Sequence, residues 1–158
     1  MIDVLIDDRS GHQGIDADRV ASLCRFFQQR QGLPEEAEVS VAFVDDSEMR
    51  ELNLAYRGID RTTDVLSFEC DGLDDGFPSG EDALHVMGDI VISPAKAQDQ
   101  AAEHGNTFPE EVDLLVIHGL LHLCGYDHMT DEDAAVMEPL QDGLVEAWKS
   151  VGKEDRDG

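Results

Sequence analysis

Three histidines lie close together at the end of an apolar segment and have the spacing of metal ligands. The segment reads His118-Gly-Leu-Leu-His122-Leu-Cys-Gly-Tyr-Asp-His128, and the whole chain contains six histidines. Residues four apart lie on the same face of a helix. His118 and His122 are therefore predicted to direct their imidazoles toward one cation.

A glycine between the second and third histidines favours a turn that completes the site. Glycine readily adopts the left-handed conformation just past a helix C-terminus, so Gly125 is predicted to end the helix and let His128 supply a third nitrogen. Three protein ligands leave one tetrahedral position open, which is typical of a catalytic zinc site. We predict one Zn²⁺ ion at these histidines. The alternative is a pair of ordinary core histidines, but burying neutral imidazoles on an apolar helix costs free energy unless they are bonded.

The histidine spacing also matches a protease pattern. Metzincin proteases carry His-Glu-x-x-His-x-x-Gly-x-x-His, in which the glutamate is the general base. Gly119 stands at the position of that glutamate. A metzincin-like metalloprotease is therefore an alternative that needs another carboxylate as its base.

The elements that must position these residues are predicted as strand, helix, strand, helix, strand, strand and three helices. Strands are predicted at 2–6, 39–43, 65–68 and 84–92. A polar loop at 69–83 is predicted between the last two of them. The expected N-caps are Asp16, Asp45 or Asp46, Ser93, Thr107 and Thr130. This order indicates one domain over 1–158, of α/β (α+β) class. We expect a small mixed four-stranded sheet with surrounding helices and a central buried helix that carries the histidines. Pro139 should kink or split the last helix, and 153–158 should be a frayed tail.

The composition restricts the location and cofactors of the protein. The longest apolar runs are shorter than the 18 or so residues that would span a membrane, and the N-terminus lacks the pattern of a signal peptide. The three cysteines are widely spaced and do not suggest a disulfide framework. A cytoplasmic protein without membrane contact is expected. No dinucleotide or P-loop glycine pattern predicts a nucleotide cofactor.

Two arginines lie close together in a polar turn. Arg57 and Arg61 either form ion pairs with nearby Asp60 and Asp64, or form an anion clamp, since guanidinium groups match phosphate oxygens.

The histidine motif together with this turn resembles the signature of the YbeY family, bacterial metal-dependent endoribonucleases that act in rRNA maturation. The resemblance includes Asn53-x-x-Tyr56-Arg57-x-x-Asp60, Thr63-Asp-Val-Leu-Ser-Phe68 and Gly88-Asp-Ile90. It covers about residues 39–148 well. The family usually has proline where Glu69 stands here, and its cleft is expected to be more basic.

The resemblance implies zinc on His118, His122 and His128, with Arg57 lining the cleft near the metal. It also implies a single-stranded RNA substrate, including the 3′ end of small-subunit rRNA, and the small ribosomal subunit as partner. The general base is not obvious from the sequence, and the candidates are Asp127 and Asp89. A third hypothesis is a non-catalytic ribosome-binding factor in which the metal only ties the helix to the following loop.

The net charge of −25, from 36 acidic and 11 basic residues, generates a prediction about salt. Such a surface repels polyanions at low salt. An acidic composition is also expected of a protein that is adapted to a salty cytoplasm. We expect the melting temperature to rise between low and molar salt, because screening shortens the range of charge repulsion to about 3 Å at 1 M. Thermal unfolding across that range is the measurement, and a flat or falling melting temperature would contradict the adaptation to salt.

Overall fold

The structure is a computed structural model that describes residues 2–69, 85–126 and 130–157. Within these residues the order of elements is the predicted one. The elements are β1 (Asp3–Asp8), α1 (Ala17–Gln31), β2 (Ala37–Phe43), α2 (Asp46–Arg57), β3 (Val65–Glu69), β4 (His85–Ile92), α3 (Pro94–His104), α4 (Phe108–Leu123) and α5 (Asp131–Asp157). The sheet has the order β1-β2-β4-β3. β1, β2 and β4 are parallel and β3 is antiparallel to β4, so the predicted α/β class and mixed four-stranded sheet are confirmed.

Local sequence signals account for where the helices begin and end. The helix N-caps accept hydrogen bonds from the backbone N–H groups three residues later, which would otherwise be unsatisfied. These caps are Asp16, Asp45, Ser93 and Thr107 for the first four helices, and Thr130 for the last. The predicted N-caps are therefore confirmed, with Asp45 rather than Asp46 as the cap of α2.

Alternation along the strands separates the core into two layers on opposite faces of the sheet. On one face, Ile90 of β4 lies directly against Gly119 of α4. Its neighbour Val91 faces the other way and packs with Met49 of α2, because successive strand residues point to opposite faces. Helices α2 and α4 therefore lie on opposite sides of the sheet. Helix α4 also contacts α1, α3 and α5.

The C-terminal helix departs from one prediction. Helix α5 is continuous through Pro139, so the predicted split does not occur. Proline removes the hydrogen bond to the carbonyl of residue 135, but residues 135 and 139 are exposed, so water can solvate that carbonyl. The helical backbone extends to Asp157, and the fraying expected at 153–158 stays a prediction. Of the predicted loop at 69–83, Glu69 belongs to β3 and the remainder lies outside the described residues.

Two buried carboxylates attach the neighbouring elements to α4. Asp113, 3% exposed, accepts hydrogen bonds from Arg19 of α1 at 2.6 Å and from the indole of Trp148 of α5 at 2.9 Å. The bond to Asp113 raises the pKa of Arg19. Glu111, which is fully buried, lies 2.8 Å from Nδ1 of His104 at the end of α3. Buried charges of this kind are stable only when they are paired.

None of the described helices is long and apolar enough to cross a membrane.

Candidate metal centre

The two helical histidines meet at their outer nitrogens. His118 and His122 are half-buried residues in the last turns of α4. Their Nε2 atoms are 3.1 Å apart, and the rings stand edge to face with centroids separated by 4.6 Å. The predicted convergence of the two imidazoles is therefore present in the structure.

This geometry fits a tetrahedral zinc ion. With Zn–N bonds of about 2.0–2.1 Å, two nitrogen ligands of a tetrahedral ion are about 3.3–3.4 Å apart. The observed Nε2 separation of 3.1 Å is within a few tenths of an ångström of that value. Among the described residues no group of three potential ligands converges. The third predicted ligand, His128, and the candidate base Asp127 lie outside those residues.

A glutamine that the sequence analysis did not single out supports the first histidine. Gln141 of α5 places its Oε1 2.7 Å from Nδ1 of His118. The available signal was its position between Met137 and Leu144, which are both buried on α5. Four residues after the first and three before the second, Gln141 is a polar residue on the apolar face of a helix.

Helix α4 ends just before Gly125, as the sequence predicted. Gly125 has a φ of 98°, and its N–H donates to the carbonyl of His122 at 3.0 Å, while the N–H of Tyr126 donates to that of Leu121. This paired arrangement is a Schellman-type helix end, which glycine favours. The chain therefore reverses directly after the histidine turn.

Gly119, which stands where metzincin proteases carry their glutamate base, faces the sheet. A Cβ atom on Gly119 would lie 2.9 Å from Cγ2 of Ile90, and Ile90 is fully buried. A glutamate at this position has no space and would point away from the imidazoles into the core. The structure therefore offers no base at this position, and a metzincin-like protease would still need a carboxylate from elsewhere in the chain.

The second candidate base lies on the other side of the sheet. Asp89 is exposed and lines a groove of about 460 Å³ with Tyr56 of α2 and Phe68 of β3. Its neighbour Ile90 faces Gly119. The structure therefore does not bring Asp89 to the histidines.

The arginines of the polar turn are not neutralised as the ion-pair alternative expected. Asp60 pairs instead with Arg50, at 2.7 Å, and this contact holds the pKa of the Asp60 carboxyl below its usual value. Asp64 Oδ1 accepts from the backbone N–H of Val65. Within the described part of the chain, neither Arg57 nor Arg61 forms an ion pair.

The turn that carries the arginines is anchored and leads to the edge of the sheet beside α4. The side-chain amide of Asn53 donates to the carbonyl of Arg61 at 2.8 Å. From there the chain enters β3, the edge strand, where the hydroxyl of Ser67 approaches the carbonyl of Gly119 to 3.5 Å. Arg57 ends α2, on the opposite face of the sheet from α4. One edge strand therefore separates the turn from the histidines, and no described contact joins Arg57 to either imidazole.

Comparisons with known proteins place the chain in a family. A family model described as Endoribonuclease YbeY matches residues 6–149. Proteins named Endoribonuclease YbeY are 49% identical in Desulforamulus reducens, over 80% of this chain and 82% of that protein, and 41% identical in Bacillus velezensis, over 92% and 96%. The solution structure of a Thermotoga maritima protein is 29% identical with a TM-score of 0.62, covering 98% of this chain and 93% of that one.

These matches identify the class as a family of endoribonucleases. The chain belongs to the YbeY family, and the resemblance noted in the sequence is confirmed.

The close approach at Gly119 generates a test with a matched control. Gly119→Ala should lower the melting temperature, because overpacking against Ile90 costs about 1–3 kcal/mol, more than the roughly 1 kcal/mol gained in helix propensity. Gly143 of α5 is exposed, and a Cβ there meets nothing within 4 Å, so Gly143→Ala should raise the melting temperature. Equal stabilisation of both variants in thermal unfolding would contradict the packing argument.

Proposed function

We propose that this protein is a metal-dependent endoribonuclease that cleaves single-stranded RNA, with one Zn²⁺ ion held by His118, His122 and His128. The observation that carries the proposal is the 3.1 Å separation of the two Nε2 atoms in a chain that belongs to an endoribonuclease family. Neutral imidazoles with converging nitrogens are a common divalent-metal donor set.

The residues of the chain have separate parts in this reaction. Bound zinc lowers the pKa of water to about 7 and polarises phosphoryl oxygens. His118 and His122 present their Nε2 atoms on one side of α4, and the hydrogen bond that His118 Nδ1 donates to Oε1 of Gln141 fixes the orientation of His118. Arg57 and Arg61 bind the phosphates of the strand and neutralise charge that develops on them. Asp127, beside the third ligand, is the candidate general base or a hydrogen-bond partner of a ligand imidazole.

The biological substrate we propose is the 3′ end of small-subunit rRNA, with the small ribosomal subunit as the partner in ribosome maturation or quality control. The support comes from the family of named endoribonucleases and from the motif resemblance. The net charge of −25 weakens any RNA contact at low salt. RNA binding therefore depends on the few cations that are not already paired with acids.

The decisive experiment is cleavage of a labelled single-stranded RNA that ends in the small-subunit rRNA 3′ sequence. Zinc-loaded protein should cleave it, and either a chelator or His122→Ala should abolish the cleavage, because both remove the metal. His12→Ala is the matched control. His12 lies outside the pair, stacked on Phe108, and its loss should leave the rate within a few-fold of wild type.

The assay should be run at low and at molar salt, and the ends of the products should be analysed. Cyclic phosphate ends would assign the RNA 2′-hydroxyl as the nucleophile and exclude attack by water. No cleavage by folded, zinc-loaded protein at either salt would contradict the enzyme and favour a non-catalytic ribosome-binding factor. In that case His122→Ala would lower the melting temperature with no activity to lose.

The role of the two arginines can be tested through the salt dependence of RNA binding. Each phosphate contact to a single strand contributes about 0.7 to the slope of log affinity against log salt. Arg57→Gln and Arg61→Gln should each weaken binding and make the slope shallower by about that amount. Arg25→Gln is a control of equal charge change on α1, where Arg25 is exposed. Slopes that change equally in all three variants would reject the anion clamp and indicate an effect of net charge alone.

A further inference from the structure

Gln141 lies on the face of α5 that packs against α4. Met137, four residues earlier, and Leu144, three residues later, are both buried in the same core cluster. Residues at these spacings lie along one face of a helix. Gln141 therefore lies between two core residues on this face, and its Oε1 meets Nδ1 of His118 at 2.7 Å.

A second polar contact fixes the register of α5 on α4. The indole N–H of Trp148 donates to Asp113 at 2.9 Å, two turns of α5 after Gln141 and more than one turn of α4 before His118. The two contacts run in opposite directions along the two helices, so α4 and α5 are antiparallel here. A shift of α5 by one residue, about 1.5 Å along its axis, would break both contacts.

The contact between Gln141 and His118 selects one form of the imidazole. An amide oxygen only accepts hydrogen bonds, so Nδ1 of His118 must carry the hydrogen. In a neutral imidazole the other nitrogen then keeps its lone pair. That nitrogen is Nε2, the atom that lies 3.1 Å from Nε2 of His122.

We propose that Gln141 is a positioning residue for a divalent metal: it holds His118 as the Nδ1–H tautomer and so presents the Nε2 lone pair to the ion. The inference rests on the proposed function, because that function supplies the metal. Hydrogen-bond partners of ligand histidines generally set tautomer and ring orientation, and their loss costs about 10- to 100-fold in metal affinity.

The neutral amide has a further consequence for an enzyme that acts on RNA. A carboxylate at this position would raise the basicity of the imidazole and add a negative charge beside the metal. Gln141 supplies the same acceptor without that charge. A site that binds a phosphodiester anion in a chain with a net charge of −25 therefore keeps the full charge of its cation.

The test combines a spectroscopic readout with metal affinity. The tautomer of His118 is read from the ¹⁵N chemical shifts of its ring in the zinc-free full-length protein. Zinc affinity is measured by competition with a chelator. The variants are Gln141→Met, which removes the acceptor, and Gln141→Glu, which keeps it. The control is Gln29→Met, the same substitution at an exposed position of α1.

We expect the Nδ1–H tautomer in wild type, Gln141→Glu and Gln29→Met, and a mixture of tautomers in Gln141→Met. Zinc affinity should fall about 10- to 100-fold in Gln141→Met and stay at or above the wild-type value in Gln141→Glu. A wild-type Nε2–H tautomer, or equal zinc affinities of Gln141→Met and Gln29→Met, would overturn the inference. Gln141→Glu also separates a structural role from positioning, since both predicted readouts should survive in it.

Failure of the inference and failure of the proposed function give different results. Wild-type protein with the expected tautomer and a Gln141-dependent zinc affinity, but no cleavage of RNA, would reject the endoribonuclease and leave the positioning role intact. Zinc-dependent cleavage by wild type together with an unchanged zinc affinity in Gln141→Met would reject the positioning role of Gln141 and leave the endoribonuclease intact.

Discussion

The close packing of α4 on the sheet is the constraint on which the candidate site depends. Gly119 brings the helix so near β4 that a Cβ atom would lie 2.9 Å from Ile90. At Gly88, where φ is 138°, a Cβ atom would lie 2.1 Å from the carbonyl oxygen of Phe68 and 3.0 Å from the side chain of Leu123. These two contacts fix both the distance and the rotation of α4. With Gly119 facing the sheet, the histidines one position before and three after it lie on an adjoining side of α4, where His118 meets Gln141 of α5.

The distribution of cations follows from the acidity of the chain. Three of the arginines with a described environment form ion pairs that serve the fold: Arg9 pairs with Glu48, Arg19 pairs with a buried aspartate, and Arg50 braces the polar turn through Asp60. Such pairs reduce repulsion within the folded chain, but they leave little positive charge for a polyanion. Arg57 and Arg61, which form no ion pair within the described residues, are therefore more informative here than they would be in a basic protein. This is the reason for assigning Arg57 and Arg61 to substrate rather than to stability.

The sequence predicted the order of elements and the histidine pair because both depend on local signals. Caps such as Thr107 and left-handed glycines such as Gly125 act within one turn, and the spacing of His118 and His122 is a property of a single helix. The burial of Asp113 and the role of Gln141 were missed, because each depends on contacts between elements far apart in the chain. The placement of Asp89, one of the two candidate bases, could not be predicted for the same reason: alternation along β4 directs its side chain to the face opposite α4.

The arrangement of layers assigns different parts of the proposed reaction to different elements. Metal donors belong to α4, their support to α5, and the candidate phosphate contacts to the turn before β3. The edge strand β3 connects these parts, because it starts at the anchored turn and passes Gly119 at Ser67. In the proposed reaction, a single strand of RNA crosses this edge between the arginines and the imidazoles, whereas a duplex is wider and stiffer. The proposed specificity for single strands is consistent with the edge position of β3 and requires no base-specific contact.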